Sequence, residues 1–178
     1  MTLRFPLPTQ VVTLASLDLA LLKQAGIRGI ILDLDNTIVS EDDRYLSPHA
    51  ETWIRDAMAT GIRFFLLSNG KRKHRVQFWS ERLGIAALSP AKKPLPAGFR
   101  KAILHLGLDK SAIAVIGDSR HTDMLGAWLV GCVGIRVASL PHPPRWWERL
   151  LGRWVQTPYP PDAELWPFTD HPYTGKDK

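Results

Sequence analysis

Apolar residues follow two alternating patterns along the chain. Five short apolar runs have the length of buried strands, and they lie at residues 29–34, 62–67, 85–88, 112–116 and 133–137. Before and between these runs, apolar residues recur every three or four positions, which is the period of a helix with one buried face. These amphipathic segments lie at residues 16–25, 47–61, 71–83, 99–106 and 123–131. The pattern therefore predicts strands and helices that alternate at short intervals.

This alternation predicts an α/β fold, a Rossmann-like three-layer sandwich whose mostly parallel sheet has about five strands. The length of 178 residues is enough for a single domain with its own core. We expect that domain to comprise residues 1–155, of which residues 140–155 form a C-terminal helix rich in Trp and Arg. Residues 156–178 are polar and rich in proline, which predicts a poorly ordered tail.

Polar side chains follow three of the predicted strands at the points where the strands end. Asp33 and Asp35 follow the first strand, Ser68 and Asn69 the second, and Asp118 the fourth. Ligands of parallel sheets bind at the carboxyl ends of the strands. We therefore expect these side chains to converge on one edge of the sheet.

Transfer of a phosphoryl group through an aspartate needs a carboxylate nucleophile, a second acid that handles the proton, a hard divalent cation and polar groups for the phosphoryl oxygens. The chain presents side chains of each kind in this order: Asp33, Asp35, Ser68, Asn69, Lys92, Lys93, Asp118 and Asp123. The stretch DLDNT alone is equally consistent with an ordinary Asp-rich turn, because short motifs have many chance matches. The ordered set favours the chemical interpretation.

Four motifs of the chain, DLDNT, LLSNG, AKKP and GDSRHTD, resemble the four motifs of the haloacid dehalogenase (HAD) superfamily. Longer stretches such as GIRGIILDLDNTIV and GDSRHTDMLGAWLVG are similar to the YqeG-type branch of subfamily IIIA phosphatases. The resemblance covers approximately residues 14–138. It implies a HAD-type fold and a Mg²⁺-dependent phosphatase that works through an aspartyl-phosphate intermediate.

The resemblance also implies catalytic and metal-binding roles. Asp33 matches the nucleophile, and Asp35 matches the general acid and base. Mg²⁺ would be bound by Asp33, by Asp118 and by the backbone carbonyl of Asp35. Thr37 matches the residue that supports the turn, and Asp123 matches a second acid that orients the metal waters or the phosphate-binding lysine.

Phosphate-binding roles follow in the same way. Ser68 matches the phosphate-binding hydroxyl after the second strand, with Asn69 beside it. Lys93, which precedes a proline, matches the phosphate-binding lysine. Lys92 is the competing choice, and the sequence leaves it open.

The net charge of +6 and the isoelectric point of about 9.7 favour anionic partners such as phosphates, nucleic acid or acidic lipid. The single cysteine, Cys132, excludes an internal disulfide framework. No stretch has the core of a signal peptide or the ~20 apolar residues of a membrane-spanning helix. We therefore expect a cytoplasmic protein whose membrane contact, where there is any, is peripheral on the inner membrane face.

The intervals between the motifs are too short for the cap domain that many HAD enzymes carry. Residues 37–62 have room for one helix, and residues 70–92 for a helix and a strand. Without a cap domain the site should be open. An open site suits a phosphate that is presented on a lipid, a polymer end or a protein.

Two basic segments bear on the choice of substrate. Lys71–Trp79 is either a solvated helix face or an electrostatic attractor beside the site. In residues 144–155, Trp and Leu cover one side of a predicted helix, and Arg145, Arg149 and Arg153 recur on the other. That pattern is typical of interfacial helices, although an apolar stripe more often packs on its own domain.

The leading hypothesis is a phosphatidylglycerophosphatase of phosphatidylglycerol synthesis, because the YqeG-type branch is similar to the mitochondrial and plastid enzymes with that activity. Its partner would be an anionic phospholipid at the membrane surface. One alternative is a phosphatase of polynucleotide ends or another macromolecule, although no aromatic stacking platform accompanies the basic residues. The other is a non-catalytic partner-binding protein with a HAD fold, against which the complete set of site residues argues.

Overall fold

The computed structural model describes residues 6–170, apart from the side chain of Arg153, which lies outside the described residues. Within this described range there are eight strands: β1 (Gln10–Val11), β2 (Gly29–Leu32), β3 (Tyr45–Leu46), β4 (Arg63–Leu67), β5 (Ala87–Leu88), β6 (Ile113–Gly117), β7 (Val133–Val137) and β8 (Trp166–Pro167). Six of them form the main sheet, in the order β1-β7-β6-β2-β4-β5, with every pair parallel. The other two, β3 and β8, form a small antiparallel sheet.

Helices cover both faces of the main sheet. They are α1 (Leu19–Gln24), α2 (Ala50–Ala59), α3 (Lys73–Leu83), α4 (Pro96–Leu106) and α5 (Leu125–Val130). A further helix, α6 (Trp146–Leu151), belongs to neither core. The apolar sides of α1, α2 and α3 enclose one core with the sheet, and those of α4 and α5 enclose a second core on the opposite face. The predicted α/β three-layer sandwich is confirmed.

The central strand β2 is apolar on both faces because each face meets a core. Ile30 and Leu32 are buried in the core beneath α1, α2 and α3, whereas Ile31 is buried in the core beneath α4 and α5. Alternate side chains of a strand point to opposite faces, so the apolar run must be continuous here. β2 is thereby fixed in the middle of the sheet.

The register of the three central strands brings their ends to the same level. Leu32 at the end of β2 is paired with Leu66 of β4 on one side and with Ile116 of β6 on the other. The polar residues that follow these strands therefore emerge at one edge of the sheet, as the strand pattern predicted.

β1 is a sixth strand of the main sheet, where the sequence predicted about five. It consists of two residues at the edge of the sheet, paired with Arg136 and Val137 of β7. Two residues are too few to show a period, so the strand is defined only by its partner in the sheet.

The C-terminal segment differs from the sequence-based expectation of a poorly ordered tail. Over residues 156–170 it packs on the domain: β8 pairs with β3, and Phe168 is buried with its ring centroid 5.3 Å from that of Trp79. The segment has few aliphatic residues, so its own composition carries no sign of a core. Its buried aromatic side chain instead joins a core that the rest of the chain builds. Residues 171–178 of the predicted tail lie outside the described residues.

The Trp/Arg-rich helix is shorter than predicted and continues into a 3-10 turn, Gly152–Trp154. Three large apolar side chains of this helix and turn do not pack on the domain: Trp146, Leu150 and Trp154 are 79%, 81% and 80% exposed. Among residues 6–170, no helix has the length and apolar character that crossing a membrane requires.

Replacement of Phe168 by alanine tests whether residues 156–170 belong to the folded domain. We expect the free energy of unfolding, measured by urea denaturation, to fall by about 3 kcal/mol, because a buried aromatic side chain is lost. Trp154→Ala, at an exposed site, is the matched control and should change the free energy of unfolding by less than about 0.5 kcal/mol. An equally small effect of Phe168→Ala would contradict the packing of this segment.

Candidate active site

A cavity of about 580 Å³ opens where the chain leaves the carboxyl ends of the central strands. Five of the residues predicted to form the site line it: Asp33, Asp35, Asn69, Lys93 and Asp118. The other three are buried and form hydrogen bonds to these lining residues: Thr37, Ser68 and Asp123. The structure therefore brings together all eight residues that the sequence placed at the site.

Asp33 is a buried carboxylate immediately after β2. Its Oδ1 accepts a hydrogen bond of 2.6 Å from Lys93 Nζ, and its Oδ2 accepts one of 3.3 Å from Thr37 Oγ1. Thr37 is itself fixed in the turn after the strand, because its amide donates to the carbonyl of Leu34. Both carboxylate oxygens have a partner, so the strand and the turn determine the orientation of Asp33.

Asp33, Asp118 and Asp123 form one buried acidic cluster, with one carboxylate oxygen of each within 4.8 Å of the others. Burial raises the pKa of Asp33 well above its ordinary value, and repulsion from Asp123 raises this pKa further. Burial also raises the pKa of Asp118, to about 7. Lys93 Nζ lies 2.6 Å from both Asp33 and Asp123, but one ammonium does not neutralise three carboxylates. The cluster therefore fits a divalent cation, for which carboxylate oxygens are suitable ligands.

Asp118 follows β6 and accepts two hydrogen bonds from residues that the sequence analysis missed. Ser139 Oγ donates to Asp118 Oδ2 at 2.7 Å, and Gln156 Nε2 donates to the same oxygen at 3.0 Å. Ser139 comes shortly after β7, so its position at a strand end was a usable signal. Gln156 lies in the segment predicted to be a tail, where no local pattern marks it.

The structure places Lys93 in the site and leaves Lys92 exposed. Burial alone would lower the pKa of Lys93, but the carboxylates of Asp123 and Asp33 outweigh burial and raise this pKa. The backbone of Lys93 is fixed by Asn69, whose Nδ2 donates to the Lys93 carbonyl at 3.0 Å and whose Oδ1 accepts from the Lys93 amide at 2.7 Å. Asn69, predicted to contact phosphate, thus positions the lysine in this structure.

Asp35 lies outside the acidic cluster and has different neighbours. Arg75 Nη1 donates to Asp35 Oδ1 at 2.5 Å, and Ser68 Oγ donates to Asp35 Oδ2 at 3.0 Å. Ser68 Oγ also accepts a hydrogen bond from the amide of Gly70. The hydroxyl predicted to bind phosphate is therefore directed at Asp35. Any role of Asp35 as a metal ligand remains with its backbone carbonyl, as the resemblance implies.

Arg75 belongs to the basic segment Lys71–Trp79, but its side chain is buried. Besides its contact with Asp35, its Nε donates to Asp43 Oδ1 at 2.6 Å. Arg72 donates to the other oxygen of Asp43 at 2.9 Å. Neither alternative describes the whole segment, because Arg75 is buried within the domain and is neither solvated nor part of a surface that attracts anions. A run of charges does not reveal which member is buried, so the sequence analysis missed Arg75.

The segment that contains α6 supplies part of the cavity wall. Arg145 Nη2 lies 2.5 Å from Glu41 Oε1 in the loop after β2. Trp147 packs edge-on against His121, with ring centroids 5.0 Å apart. Burial lowers the pKa of His121. Both rings line the cavity, so the end of the chain forms a wall where the sequence predicted only an open edge.

Comparison with known proteins shows similarity to phosphatases. Over 105 residues the chain is 38% identical to the probable phosphatase YqeG of Bacillus subtilis, and the match spans 59% of this chain and 60% of that protein. Two solved structures have the same fold. One is an uncharacterized protein from Listeria monocytogenes serotype 4b, with a TM-score of 0.53 and 19% identity over 67% of this chain and 84% of that one.

The other is the cobalt-bound form of the deoxy-D-mannose-octulosonate 8-phosphate phosphatase from Haemophilus influenzae, with a TM-score of 0.51 and 18% identity over 65% of this chain and 71% of that one. The model of the haloacid dehalogenase-like hydrolase family matches residues 18–131, which are more than half of the chain and contain all eight predicted site residues. The resemblance inferred from the four motifs is confirmed, and the chain belongs to the haloacid dehalogenase-like hydrolases.

Proposed function

We propose that the protein is a Mg²⁺-dependent phosphomonoester hydrolase that works through an aspartyl-phosphate intermediate. The observation that carries this proposal is the position of Asp33. Its carboxylate lines the cavity at the end of a buried strand, with both oxygens oriented and the Lys93 ammonium 2.6 Å away. A carboxylate so placed can attack phosphorus while the ammonium attracts the phosphoryl oxygens.

The reaction has two steps. In the first, an Asp33 oxygen bonds to phosphorus, the ester P–O bond breaks, and Asp35 gives a proton to the departing alcohol oxygen. In the second, water attacks the phosphorus of the aspartyl phosphate and passes a proton to Asp35. The bond between phosphorus and Asp33 then breaks, so inorganic phosphate leaves and both aspartates are restored.

Lys93, Ser68 and Asn69 are the proposed phosphate-binding residues. Lys93 would neutralise phosphoryl charge directly. For Ser68 to bind a phosphoryl oxygen, its hydroxyl must turn away from Asp35, to which it now donates. That turn would release one oxygen of Asp35 for proton transfer when the substrate arrives. Asn69 contributes by keeping the Lys93 backbone in place.

The acidic cluster is the proposed Mg²⁺ site. Asp33, Asp118 and the backbone carbonyl of Asp35 would bind the ion, which would offset the buried negative charge and attract phosphoryl oxygens. Asp123 has both oxygens engaged, by Lys93 Nζ and by the amide of Ser119, so we assign it the supporting role of orienting Lys93.

Arg75 is a proposed positioning residue. It lines the cavity but we assign it no contact with the reacting atoms; it acts through Asp35, to which it is paired at 2.5 Å. Asp43 fixes Arg75 in turn, from a loop that precedes β3. A proton donor displaced by about 1 Å loses much of its effect, so this chain of contacts should matter for turnover.

The finer proposal is that the substrate is phosphatidylglycerophosphate, presented by an anionic membrane on the cytoplasmic face. Three observations support it. The chain resembles the YqeG-type branch. The cavity lining includes the basic residues Lys71, Arg72 and Arg145. Within residues 6–170, the two intervals available for a cap hold only α2, α3 and short strands. A phosphate on a lipid headgroup could therefore reach Asp33 without passing a covering domain.

A panel of three phosphate esters tests activity and substrate together. With Mg²⁺, we expect the protein to release phosphate fastest from vesicles that contain phosphatidylglycerophosphate, and more slowly from p-nitrophenyl phosphate and a 3′-phosphorylated oligonucleotide. Asp33→Asn should lower the rate by ~10³-fold or more because the nucleophile is lost. Asp35→Asn should lower it by about 10²- to 10⁴-fold because proton transfer is lost.

Each of the other outcomes of the panel would indicate a different function. Release from the oligonucleotide but not from the lipid would replace the lipid substrate by a polynucleotide end. Wild-type activity in Asp33→Asn would refute the aspartyl-phosphate mechanism. No release from any of the three esters would favour a non-catalytic binding protein.

Mg²⁺ should stabilise the fold through the acidic cluster. At about 100 times its dissociation constant, Mg²⁺ would add ~2.7 kcal/mol to the free energy of unfolding and raise the melting temperature by roughly 5–10 °C. Asp118→Asn should lose most of this shift because it loses a ligand. Without Mg²⁺ the Asp118→Asn variant should melt no lower than the wild type, because the substitution removes one of three buried carboxylates that repel one another. Equal Mg²⁺-induced shifts in both proteins, measured by differential scanning calorimetry, would place the ion elsewhere.

Arg75 and Arg72 form a matched pair, because both donate to Asp43 but only Arg75 contacts Asp35. We expect Arg75→Met to lower kcat by about 10²-fold with little change in KM, because Asp35 loses its position. Arg75→Lys should restore part of kcat. Arg72→Met should alter KM more than kcat. If both Met variants lowered kcat equally, Arg75 would have only the structural role that it shares with Arg72.

A further inference from the structure

The inner side of α6 carries a buried carboxylate. Glu148 is buried, its carboxylate accepts a 2.8 Å hydrogen bond from the amide of Arg145, and it lies 3.1 Å from His142 Nε2. Both nitrogens of His142 face acceptors, since Nδ1 lies 2.8 Å from the carbonyl of Leu140. These contacts join α6 to the loop that precedes it. The helix is connected to the rest of the domain by the ion pair of Arg145 with Glu41 and by the packing of Trp147 against His121.

The outer side of α6 is apolar and basic. Trp146 and Leu150 are 79% and 81% exposed, and Trp154 in the following turn is 80% exposed. Arg149 is exposed on the same helix. We call these four residues the α6 surface. A surface helix normally buries its apolar side chains and exposes its charged ones, whereas α6 buries a carboxylate and exposes Trp and Leu. Exposed apolar groups of this kind mark a binding surface.

The size and composition of the α6 surface favour a lipid bilayer over a protein partner. Two Trp side chains can bury about 150–250 Å² each, which is well below the ~800 Å² that each partner buries in a stable protein–protein interface. Trp prefers the level of the lipid headgroups, and Arg is attracted to acidic headgroups. The net charge of +6 has the sign that an anionic membrane attracts.

The α6 surface lies next to the cavity. Trp147 and Glu148, which lie between Trp146 and Arg149 in the helix, line the cavity. Lys71 and Arg72 line the same cavity. A bilayer that touches the outer side of α6 therefore lies close to a cavity with Lys71 in its wall, and an anionic headgroup would be attracted to that ammonium.

We propose that the α6 surface docks the protein on an anionic phospholipid bilayer, so that the phosphate ester of a membrane lipid reaches the cavity. The choice of a lipid ester rests on the proposed function, whereas docking itself requires no turnover. Trp146, Leu150 and Trp154 insert at the headgroup level, and Arg149 pairs with lipid phosphates. The bilayer is thus the element that covers these apolar side chains.

Sedimentation of the full chain with vesicles tests the proposal without any phosphomonoester present. Vesicles of phosphatidylcholine and phosphatidylglycerol in equal parts should bind the wild type more tightly than phosphatidylcholine alone, with Trp emission shifted to shorter wavelength. Trp146→Ser/Leu150→Ser should weaken binding by about 10-fold or more, because two apolar side chains no longer insert. Leu104→Ser, at a site on α4 that is 83% exposed, is the matched control and should bind as the wild type does.

Three outcomes would overturn docking through α6: no binding by the wild type, equal binding by the double variant, or an equal loss in Leu104→Ser. A change from dimer to monomer in the double variant, with vesicle binding intact, would instead assign the surface to a second copy of the chain. Vesicle binding that depends on Trp146 and Leu150 in a protein without phosphatase activity would support docking while refuting the proposed function.

Discussion

Three buried carboxylates around one ammonium group form the constraint on which the site depends. Like charges at this distance in a buried position are unfavourable unless cations and hydrogen-bond donors offset them. Lys93 is the cation, and Asn69 fixes its backbone. Gly117 belongs to the same constraint, because a Cβ atom there would lie 2.4 Å from the carboxylate of Asp123. The residual negative charge is what makes the cluster suitable for a divalent cation.

The same constraint separates two aspartates that are only two positions apart. Asp33 is enclosed in the acidic cluster with Lys93, whereas Asp35 is turned towards Arg75 and Ser68. Carboxylates in unlike surroundings can take unlike roles, here attack on phosphorus and transfer of a proton. The alternation of a strand does not explain this difference, since residues two positions apart on a strand point to the same face. β2 ends at Leu32, before both aspartates, and α3 supplies the arginine that holds Asp35.

Local patterns in the sequence predicted the positions of those site residues that directly follow a strand. The apolar runs placed Asp33, Ser68 and Asp118 at one edge, and the register of the central strands does bring them there. The patterns could not predict contacts between segments far apart in the chain. Burial of Arg75 depends on the loop that carries Asp43, and neither segment signals the other. Hydrophobic periodicity indicates which face of a helix or strand is buried, but not which other segment packs against that face.

The largest gap in the sequence-based prediction lies at the C-terminal end, and this gap has a physical cause. A proline-rich segment with few aliphatic residues cannot form a core alone. It can still complete a site when the rest of the domain supplies the partners: Gln156 donates to Asp118, and Arg145 is paired with Glu41. These polar contacts leave Trp146 and Leu150 of α6 facing outward. A segment held to the domain by these polar contacts and by the buried ring of Phe168 can thus serve the proposed metal site on one side and expose Trp146, Leu150 and Trp154 to the proposed bilayer on the other.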